Sequence, residues 1–258
     1  MREKLRLFSW NVNGIRAAYK KGLLEWVREA SPDILCVQET KASPEQLPKD
    51  LLEPQGYHAF WDKADKKGYS GVGVYTRTPP AAVHTGMGIS RFDSEGRILR
   101  LDFDRFVLFN VYFPNGKKNQ ERLQFKLDFY DAFLDHIEKL RRTGASIVFC
   151  GDVNTAHKET DLARPKENEK VSGFLPIERE WIDRVVAAGY LDTFRLFCSD
   201  AGRYSWWDQK TRARERNIGW RIDYVFVCGA MRAQVKDAWI LEEVMGSDHC
   251  PIGVDLEI

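Results

Sequence analysis

The sequence predicts one α/β domain in which β-sheets pack together and helices lie outside. Short apolar runs of strand length recur along the chain, and each ends on polar or glycine residues. A single long segment carries apolar residues at helical spacing instead. No low-complexity linker or Pro/Gly-rich boundary divides the 258 residues, so we expect one domain spanning residues 1–258.

The predicted strands occupy the apolar runs in chain order. They lie at residues 5–10, 34–38, 72–76, 98–103, 107–112, 147–150, 224–227, 235–240 and 252–258. In the last run apolar and polar residues alternate, which is typical of a half-buried strand. Strands therefore dominate the predicted fold.

Helices are fewer. The clearest runs from about residue 119 to 142, with an apolar stripe that we expect to face the core, made of Leu123, Leu127, Tyr130, Leu134, Ile137 and Leu140. Shorter amphipathic segments at residues 22–29 and 178–188 predict two more helices. Pro176 and Gly189 flank the second of these as start and stop signals.

Two of the predicted strand ends resemble each other. Residues 8–13 read FSWNVN and residues 149–154 read FCGDVN. The echo indicates a two-fold pseudo-repeat, although a match this short also arises by chance.

Composition excludes several classes of protein. The chain has 39 basic and 38 acidic residues, unlike histone-like or acidic-tail proteins, so any nucleic-acid-binding surface must be local. Its five cysteines have no metal-binding spacing, which predicts free thiols in a reducing compartment. No apolar run approaches the ~20 residues of a membrane span, and the first residues lack the apolar stretch of a signal peptide. We expect an intracellular protein that is not secreted.

Polar residues able to bind a metal or a phosphate follow directly after several predicted strands. Loops at such places project side chains from a rigid scaffold. The residues are Asn11 and Asn13 in SWNVNG, Glu39 in ILCVQET, Tyr112 and Asn115 in NVYFPNG, Asp152 and Asn154 in FCGDVNT, and Asp248 and His249 in GSDHCP.

Three of these residues offer specific chemistry. Glu39 could hold Mg²⁺, which needs only one or two carboxylates besides water and phosphate oxygens. Asp152 could orient or deprotonate an attacking water, with Asn154 donating to a phosphate oxygen. His249 could pair with the distant Asp223 and become a cationic phosphate donor. Taken alone, each could equally be a solvated, turn or backbone-bonded residue.

Two segments favour nucleic-acid binding, because basic groups neutralise phosphates while aromatic rings stack on bases. Residues 63–71 form a basic, glycine-containing loop. A second run interleaves aromatic and basic side chains, which could also be core and solvated surface: Arg203, Trp206, Trp207, Lys210, Arg212, Arg214, Arg216, Trp220 and Arg221.

Read together, the motifs resemble one family over essentially the whole chain. WNVNG, VQETK, GYSGVGVYT, YFPNG, GDVNTAHKETDLARPK, SGFLPIERE, GWRIDY and GSDHCPI are similar, in order and spacing, to the exonuclease III family of apurinic/apyrimidinic (AP) endonucleases. That family lies within the endonuclease/exonuclease/phosphatase superfamily. The resemblance implies a four-layered α/β sandwich, two packed mixed β-sheets flanked by helices.

The resemblance also implies an activity. It predicts a DNA repair phosphodiesterase that cleaves 5′ to abasic sites, leaves a 3′-hydroxyl, and acts as a 3′-to-5′ exonuclease on duplex DNA. The implied cofactor is Mg²⁺, with Mn²⁺ also supporting activity. The implied partner is double-stranded DNA with abasic sites or 3′ lesions, bound by a monomer in the cytoplasm, at the nucleoid, or in the nucleus.

Residue roles carried over from the family fall into three groups. The catalytic residues are Asp152, Tyr112, His249, Asp223 and Asn154. The metal and its surroundings involve Glu39, Asn11, Asp248, Asp152 and Asn154. The DNA-binding residues are Asn115, Lys117, Asn168, Phe174, Trp206, Lys210, Arg212, Trp220 and Tyr69.

Other classes remain as alternatives. Deoxyribonuclease-I-like nonspecific nucleases and phosphoinositide or sphingomyelin phosphodiesterases would share the metal site but not GWRIDY or SGFLPIERE. A noncatalytic DNA-binding module on the same fold would not need the full set of Glu39, Asp152, Asn154, Asp223 and His249. Mg²⁺-dependent nicking of DNA at a single abasic analogue would distinguish these classes.

Overall fold

The computed structural model describes residues 4–258. Two six-stranded sheets form its centre, in the orders β13-β14-β1-β2-β4-β3 and β5-β6-β7-β8-β12-β9, and β10-β11 is a small ribbon. The strands are β1 (Lys4–Asn11), β2 (Ile34–Gln38), β3 (His58–Asp62), β4 (Val72–Thr76), β5 (Ala82–Thr85), β6 (Ile98–Asp102), β7 (Val107–Tyr112), β8 (Ile147–Asp152), β9 (Tyr190–Asp192), β10 (Trp206–Trp207), β11 (Gly219–Trp220), β12 (Asp223–Cys228), β13 (Val235–Ile240) and β14 (Ile252–Glu257).

The helices connect and cover these sheets. They are α1 (Ile15–Lys20), α2 (Leu23–Ala30), α3 (Lys49–Leu52), α4 (Ser90–Asp93), α5 (Gln120–Arg141), α6 (Pro165–Asn168) and α7 (Pro176–Ala187). Short 3₁₀ turns lie at Pro44–Gln46, Glu159–Asp161, Phe194–Leu196, Ala213–Arg216 and Gly229–Gln234. At the start of α5 the Asn119 side chain accepts a hydrogen bond from the Arg122 backbone N–H, a typical N-cap.

The alternation of side chains along the strands produces the layers. On β1, Leu7 packs in the core between the sheets, whereas Phe8 and Trp10 pack in a second core with α1 and α2. On the other side, α5 and α7 cover the second sheet, where the Tyr130 and Trp181 rings stack 4.1 Å apart. Successive strand residues point to opposite faces, so each sheet is buried on both sides. The predicted four-layered α/β sandwich is confirmed.

The two sheets repeat one pattern of strand directions. In the first, β1 is parallel to β2 and antiparallel to β14; in the second, β8 is parallel to β7 and antiparallel to β12. The echoing strands β1 and β8 therefore hold equivalent places, as the pseudo-repeat predicts. Their polar ends meet across the sheets.

Sequence patterns located nine strands within one or two residues but missed five others, two of which are the two-residue strands β10 and β11 of the ribbon. β3, β5 and β9 all lie at sheet edges, and β5 exposes most of its residues. An edge strand is paired on one side only and carries polar residues, so its apolar signal is weak.

The predicted apolar stripe of the long helix is wrong in part. The fully buried face of α5 is formed by Lys126, Phe129, Tyr130, Phe133 and Ile137. The leucines of the predicted stripe are only half-buried and flank this face. Large aromatic rings fill the space over the sheet, and a buried lysine breaks the apolar pattern that would have marked the face.

The cysteines are free thiols, as predicted. Cys36, Cys150, Cys228 and Cys250 are buried, and Cys198 is half-buried. Among residues 4–258, no helix has the length and apolar content needed to cross a membrane.

Candidate active site

The polar ends of β1, β2 and β8 converge at one end of the sandwich. Asn11 closes β1, Glu39 follows β2, and Asp152 closes β8. The Asn11 Nδ2 donates to Glu39 Oε2 at 3.0 Å and to Asp152 Oδ2 at 2.9 Å. Because β1 and β8 belong to different sheets, the Asn11–Asp152 bond joins the sheets at this point.

Unusual backbone conformations aim these side chains. A Cβ on Gly151, whose φ is 140°, would lie 1.8 Å from the Val111 carbonyl oxygen of β7, so only glycine fits. Glu39 and Asn154 both have a φ of 57°, in the left-handed region that non-glycine residues seldom occupy. Such strain concentrates at functional sites.

His249 and Asp223 form the predicted pair. The His249 Nδ1 lies 2.8 Å from Asp223 Oδ2, and its Nε2 lies 3.9 Å from Asp152 Oδ2. Asp223 is directly opposite Asp152 in the β8–β12 ladder. The Ser205 hydroxyl donates to Asp223 Oδ2 at 2.6 Å and fixes that carboxylate.

The imidazole between these two carboxylates favours its charged form. Burial opposes protonation of His249, but the negative charges of Asp223 and Asp152 raise its pKa to about 10. Burial, with a contribution from Asp223, raises the pKa of Asp152 to about 7, while His249 and the Asn11 amide act in the opposite direction. At neutral pH the site therefore has a cationic donor beside a carboxylate that can take up a proton.

The donor atoms of the site fit a divalent cation. Asp152, Asp223 and His249 bring three ligand atoms within 4.8 Å of one another, and this buried group could hold a metal. A protonated imidazole has no free lone pair, however, so the oxygen-rich side around Glu39 and Asp152 suits a hard cation better. Glu39 Oε1 already attracts the Lys41 ammonium, whose Nζ lies 2.9 Å away.

Asn154 and Asn115 extend the site toward the loop after β7. The Asn154 backbone N–H and Nδ2 donate to the two Asp152 carboxylate oxygens at 2.8 and 3.1 Å. The Asn115 Nδ2 donates to Asn154 Oδ1 at 2.9 Å. Burial, and then the charge of Glu39, raise the pKa of Tyr112 well above its ordinary value, so its phenol keeps its proton.

Asp248 lies beside the site rather than between its carboxylates. Its oxygens accept from Asn13 Nδ2 at 2.8 Å and from Trp206 Nε1 at 3.1 Å. Burial opposes its ionisation, yet the charge of His249 and the bonds from Asn13 and Trp206 keep its pKa below the usual value. Asp248 thus anchors Trp206 next to His249, whose ring centroid is 6.5 Å away.

An aromatic wall adjoins the carboxylates; its members are Trp206, Trp220 and Phe174. Trp206 and Trp220 face each other across β10 and β11, with ring centroids 6.4 Å apart and planes at 82°. Phe174 packs edge-on against Trp220. Lys117 lies over both tryptophan rings, its Nζ 4.9 Å from the Trp206 centroid and 5.5 Å from that of Trp220.

The remaining predicted DNA-binding residues lie farther out. Lys210 and Arg212 are exposed on the loop after β10. Asn168 donates to the backbone oxygens of Ala163 and Arg164 in its own loop. The Tyr69 hydroxyl accepts from Arg97 and Arg122. Their contact with DNA stays a prediction.

The interleaved basic-aromatic run is not one continuous surface. Arg203 pairs with Glu242, Arg214 donates to the backbone oxygens of residues 242, 244 and 247, and Arg221 is fully buried. Arg221 bridges Asp161 and Asp192 at 2.8 and 2.7 Å. The alternation of basic and aromatic residues along the chain did not predict these separate positions, because the short β10–β11 ribbon places neighbouring residues of the run in different layers of the structure.

Sequence reasoning missed a buried ion pair beneath the site. Lys126 Nζ lies 2.6 Å from Glu178 Oε1, and both side chains have no solvent exposure. The same Nζ donates to the Asn154 carbonyl oxygen at 2.8 Å. Glu178 accepts from the backbone N–H groups of Gly173 and Leu175. A charge inside an amphipathic helix is usually solvated, so the sequence held no signal for this pair.

Known proteins resemble this chain in sequence and in fold. The profile of the Endonuclease/Exonuclease/phosphatase family matches residues 8–249. The chain belongs to that family. An exodeoxyribonuclease of Bacillus subtilis is 42% identical over 98% of this chain and 100% of its own length. A DNA-(apurinic or apyrimidinic site) endonuclease of Dictyostelium discoideum is 39% identical over 99% of this chain and 71% of its own length.

A solved structure agrees with these matches. An AP endonuclease from Archaeoglobus fulgidus superposes with a TM-score of 0.89 and 26% identity, covering 98% of this chain and 100% of its own. Within its family, the chain is therefore of the exonuclease III type, as its motifs predict.

Proposed function

We propose that the chain is a DNA repair phosphodiesterase of the AP endonuclease and exodeoxyribonuclease type. It cleaves the phosphodiester 5′ to an abasic site in duplex DNA, leaves a 3′-hydroxyl, and removes nucleotides or lesions from 3′ ends. The observation that carries the proposal is the set formed by the buried Asn11, Asp152 and His249 with the half-buried Glu39 at the end of the sandwich. The full-length relatives named above support the choice of substrate.

In this proposal Asp152 prepares the attacking water. Its buried carboxylate would accept a proton as the water attacks phosphorus. Asn11 and Asn154 hold the carboxylate through their amide groups. The bond from phosphorus to the upstream 3′ oxygen breaks. That oxygen takes up a proton from solvent, and Asp152 returns to solvent the proton that it accepted.

Charged and polar donors stabilise the negative charge that develops on the phosphate. The His249 imidazolium, fixed by Asp223, donates from Nε2 to a non-bridging oxygen. The protonated Tyr112 phenol supplies a second donor. Glu39, with Asp152 and the Asn11 amide oxygen beside it and Asp248 farther out, would hold Mg²⁺ or Mn²⁺, which supplies positive charge to the phosphate oxygens when bound.

The aromatic wall would receive the extruded sugar. An abasic nucleotide has no base to unstack, so turning it out of the duplex costs little. The deoxyribose would lie against the half-buried Trp206 ring, behind which Trp220 and Phe174 pack, within reach of the carboxylates. The size of this pocket would then exclude nucleotides that carry a base.

A duplex with one tetrahydrofuran abasic analogue tests the proposal. We expect a single nick on its 5′ side with a 3′-hydroxyl end, dependent on Mg²⁺ and abolished by EDTA. Cutting at every position would instead indicate a nonspecific nuclease, and binding without any nick would indicate a noncatalytic module. Monomeric state and compartment stay predictions from the sequence.

Replacing the proposed base gives a sharper test. Asp152→Asn keeps the size of the side chain but removes its basicity, so we expect cleavage to fall by roughly 10²- to 10⁴-fold. DNA binding, measured by fluorescence anisotropy with the same duplex, should persist. Near-wild-type turnover in this variant would rule out Asp152 as the group that activates water.

A further inference from the structure

Arg97 is a buried cation next to the site that the hydrolysis described above does not use. It directly precedes β6, and only 2% of its side chain is exposed, so its guanidinium is closed off from DNA. Its Nε donates to Glu95 Oε2 at 2.6 Å, and its Nη2 donates to the Tyr69 hydroxyl at 3.1 Å. A buried charge must be paired and hydrogen-bonded, and these two partners meet that need.

Three further contacts of Arg97 go to Tyr112, the phenol that donates to the phosphate in the proposed function. The Arg97 Nη1 donates to the Tyr112 carbonyl oxygen at 2.8 Å, and the Tyr112 backbone N–H donates to the Arg97 carbonyl oxygen at 2.9 Å. The guanidinium carbon lies 4.7 Å from the centroid of the Tyr112 ring. Arg97 therefore holds both backbone polar groups of Tyr112 and one face of its ring.

The guanidinium of Arg97 is in turn held from outside the site. Besides Arg97, Glu95 accepts from Arg122 on α5 through both of its oxygens, at 2.7 and 2.6 Å. The Tyr69 hydroxyl also accepts from Arg122, at 2.8 Å. Because each of the three guanidinium nitrogens of Arg97 has a partner, its plane has a fixed orientation. A side chain locked in this way can fix the orientation of the ring that stacks on it.

The orientation of the Tyr112 ring matters because of where the residue lies. Tyr112 ends β7 and is directly opposite Asp152 in the β7–β8 ladder. The sheet fixes its backbone, whereas the direction of its hydroxyl depends on what the ring packs against. A displacement of about 1 Å in a group that acts on the reacting atoms can lower a rate roughly 100-fold.

We propose that Arg97 is a positioning residue of the hydrolysis, which orients the Tyr112 phenol and acts on the phosphate only through it. The inference rests on the proposed function, since it requires Tyr112 to donate to the phosphate. A planar guanidinium can bond through its edge and stack on its face at the same time, which the compact ammonium of a lysine cannot do. The residue is therefore an arginine for its shape as well as for its charge.

A double-mutant cycle tests the proposal. Nicking of the tetrahydrofuran duplex is followed in Mg²⁺ in single turnovers, with the protein in excess, so that product release does not contribute. Arg97→Gln should lower the rate roughly 10- to 100-fold. Tyr112→Phe should lower it about 100-fold or more. Adding Arg97→Gln to Tyr112→Phe should cost less than about threefold, because the group that Arg97 orients is already gone.

Two substitutions of Arg97 separate positioning from folding. Arg97→Gln leaves Glu95 with both of its bonds from Arg122, so the protein should fold. Arg97→Lys also keeps the buried positive charge. Because lysine cannot stack on the ring while bonding the Tyr112 carbonyl, Arg97→Lys should remain slow. It takes the place of Arg97→Gln in the cycle if that variant does not fold.

Arg100→Gln is the matched control. It removes the ion pair between Arg100 and Asp102, at 2.6 Å, from the strand that follows Arg97, and it should nick at the wild-type rate. Binding of the duplex in EDTA, measured by fluorescence anisotropy, should be the same in all these variants, since Arg97 is closed off from DNA.

The outcomes distinguish this inference from the proposed function. A general disturbance of the site would lower the rate in Tyr112→Phe as much as in the wild type, so losses that multiply in the double variant would overturn the role of Arg97. A wild-type rate in Arg97→Gln or Arg97→Lys would do the same. If the wild type itself does not nick tetrahydrofuran in Mg²⁺, the proposed function is wrong, and this inference is rejected with it.

Discussion

The His249 imidazolium lies between the carboxylates of Asp223 and Asp152, and this arrangement determines its titration. The proton is present at neutral pH and is lost as the pH rises through about 10. If His249 donates to the phosphate, kcat/KM for nicking should fall over the same range. The phenol of Tyr112 titrates at higher pH still, so it does not produce this decline.

Replacing Asp223 should shift the pH at which kcat/KM for nicking falls. Asp223→Asn removes the charge that contributes most to keeping His249 protonated, so the alkaline limb should shift to lower pH. Activity above neutral pH should drop on the order of 100-fold. The measurement is kcat/KM against pH for both proteins, with Asp237→Asn, on the distant β13, as the matched control. An unmoved limb in Asp223→Asn would show that another group causes the decline.

For individual residues, the sequence predicted which side chains lie close together but not which hydrogen bonds join them. Asn11, Glu39, Asp152 and His249 could be identified because each directly follows or precedes a strong apolar run. The hydrogen bonds from Asn11 to the carboxylates of Glu39 and Asp152 could not be predicted, because they depend on the approach of two sheets whose strands are far apart in sequence. The Lys126–Glu178 pair gave no pattern in either of its helices.

The buried Lys126–Glu178 ion pair joins helices α5 and α7 to the catalytic end of β8. Lys126 reaches the Asn154 carbonyl, and Glu178 holds the backbone of the loop at Gly173. Lys126→Met leaves the buried Glu178 carboxylate without its countercharge, so we expect a loss of about 3–5 kcal/mol in the free energy of unfolding. Urea denaturation measures the loss.

A double variant separates charge from packing. Lys126→Met with Glu178→Gln leaves no buried charge, while the amide oxygen introduced by the second change can still accept from the loop N–H groups. The stability of the double variant should therefore lie between that of Lys126→Met and that of the wild type. If the double variant is no more stable than Lys126→Met, unpaired charge is not the cause of the loss.

The elements themselves were predictable to different degrees for a physical reason. β2, β4 and β7 are buried along nearly their whole length, so their apolar runs gave the observed bounds. The edge strand β5 is exposed to solvent along most of its length and has no such run. The face of α5 was misplaced because its buried side carries aromatic rings and one lysine rather than leucines.

At the scale of the whole molecule, both sheets share one core and one site. Leu7 and Ile34 from the first sheet pack in the same core as Leu108 and Val148 from the second. The Asn11–Asp152 bond links the same sheets at the site. We therefore propose that residues 1–258 form a single domain.

A single domain should unfold as one unit. In urea, circular dichroism at 222 nm and tryptophan fluorescence should give coincident transitions, and nicking activity should disappear over the same range of urea concentration. An earlier loss of one sheet, seen as two separate transitions, would contradict the proposal. Asn11→Ala is a useful comparison, since it removes the cross-sheet bond while leaving the shared core intact.

The thiols of this chain allow the native protein to be labelled at a single position. Four of them are buried, whereas Cys198, which follows β9, is half-buried. A maleimide dye applied briefly to the native protein should accordingly react at one place, without any cysteine having to be removed first. Attached there, the dye could report on the arrival of labelled DNA by energy transfer.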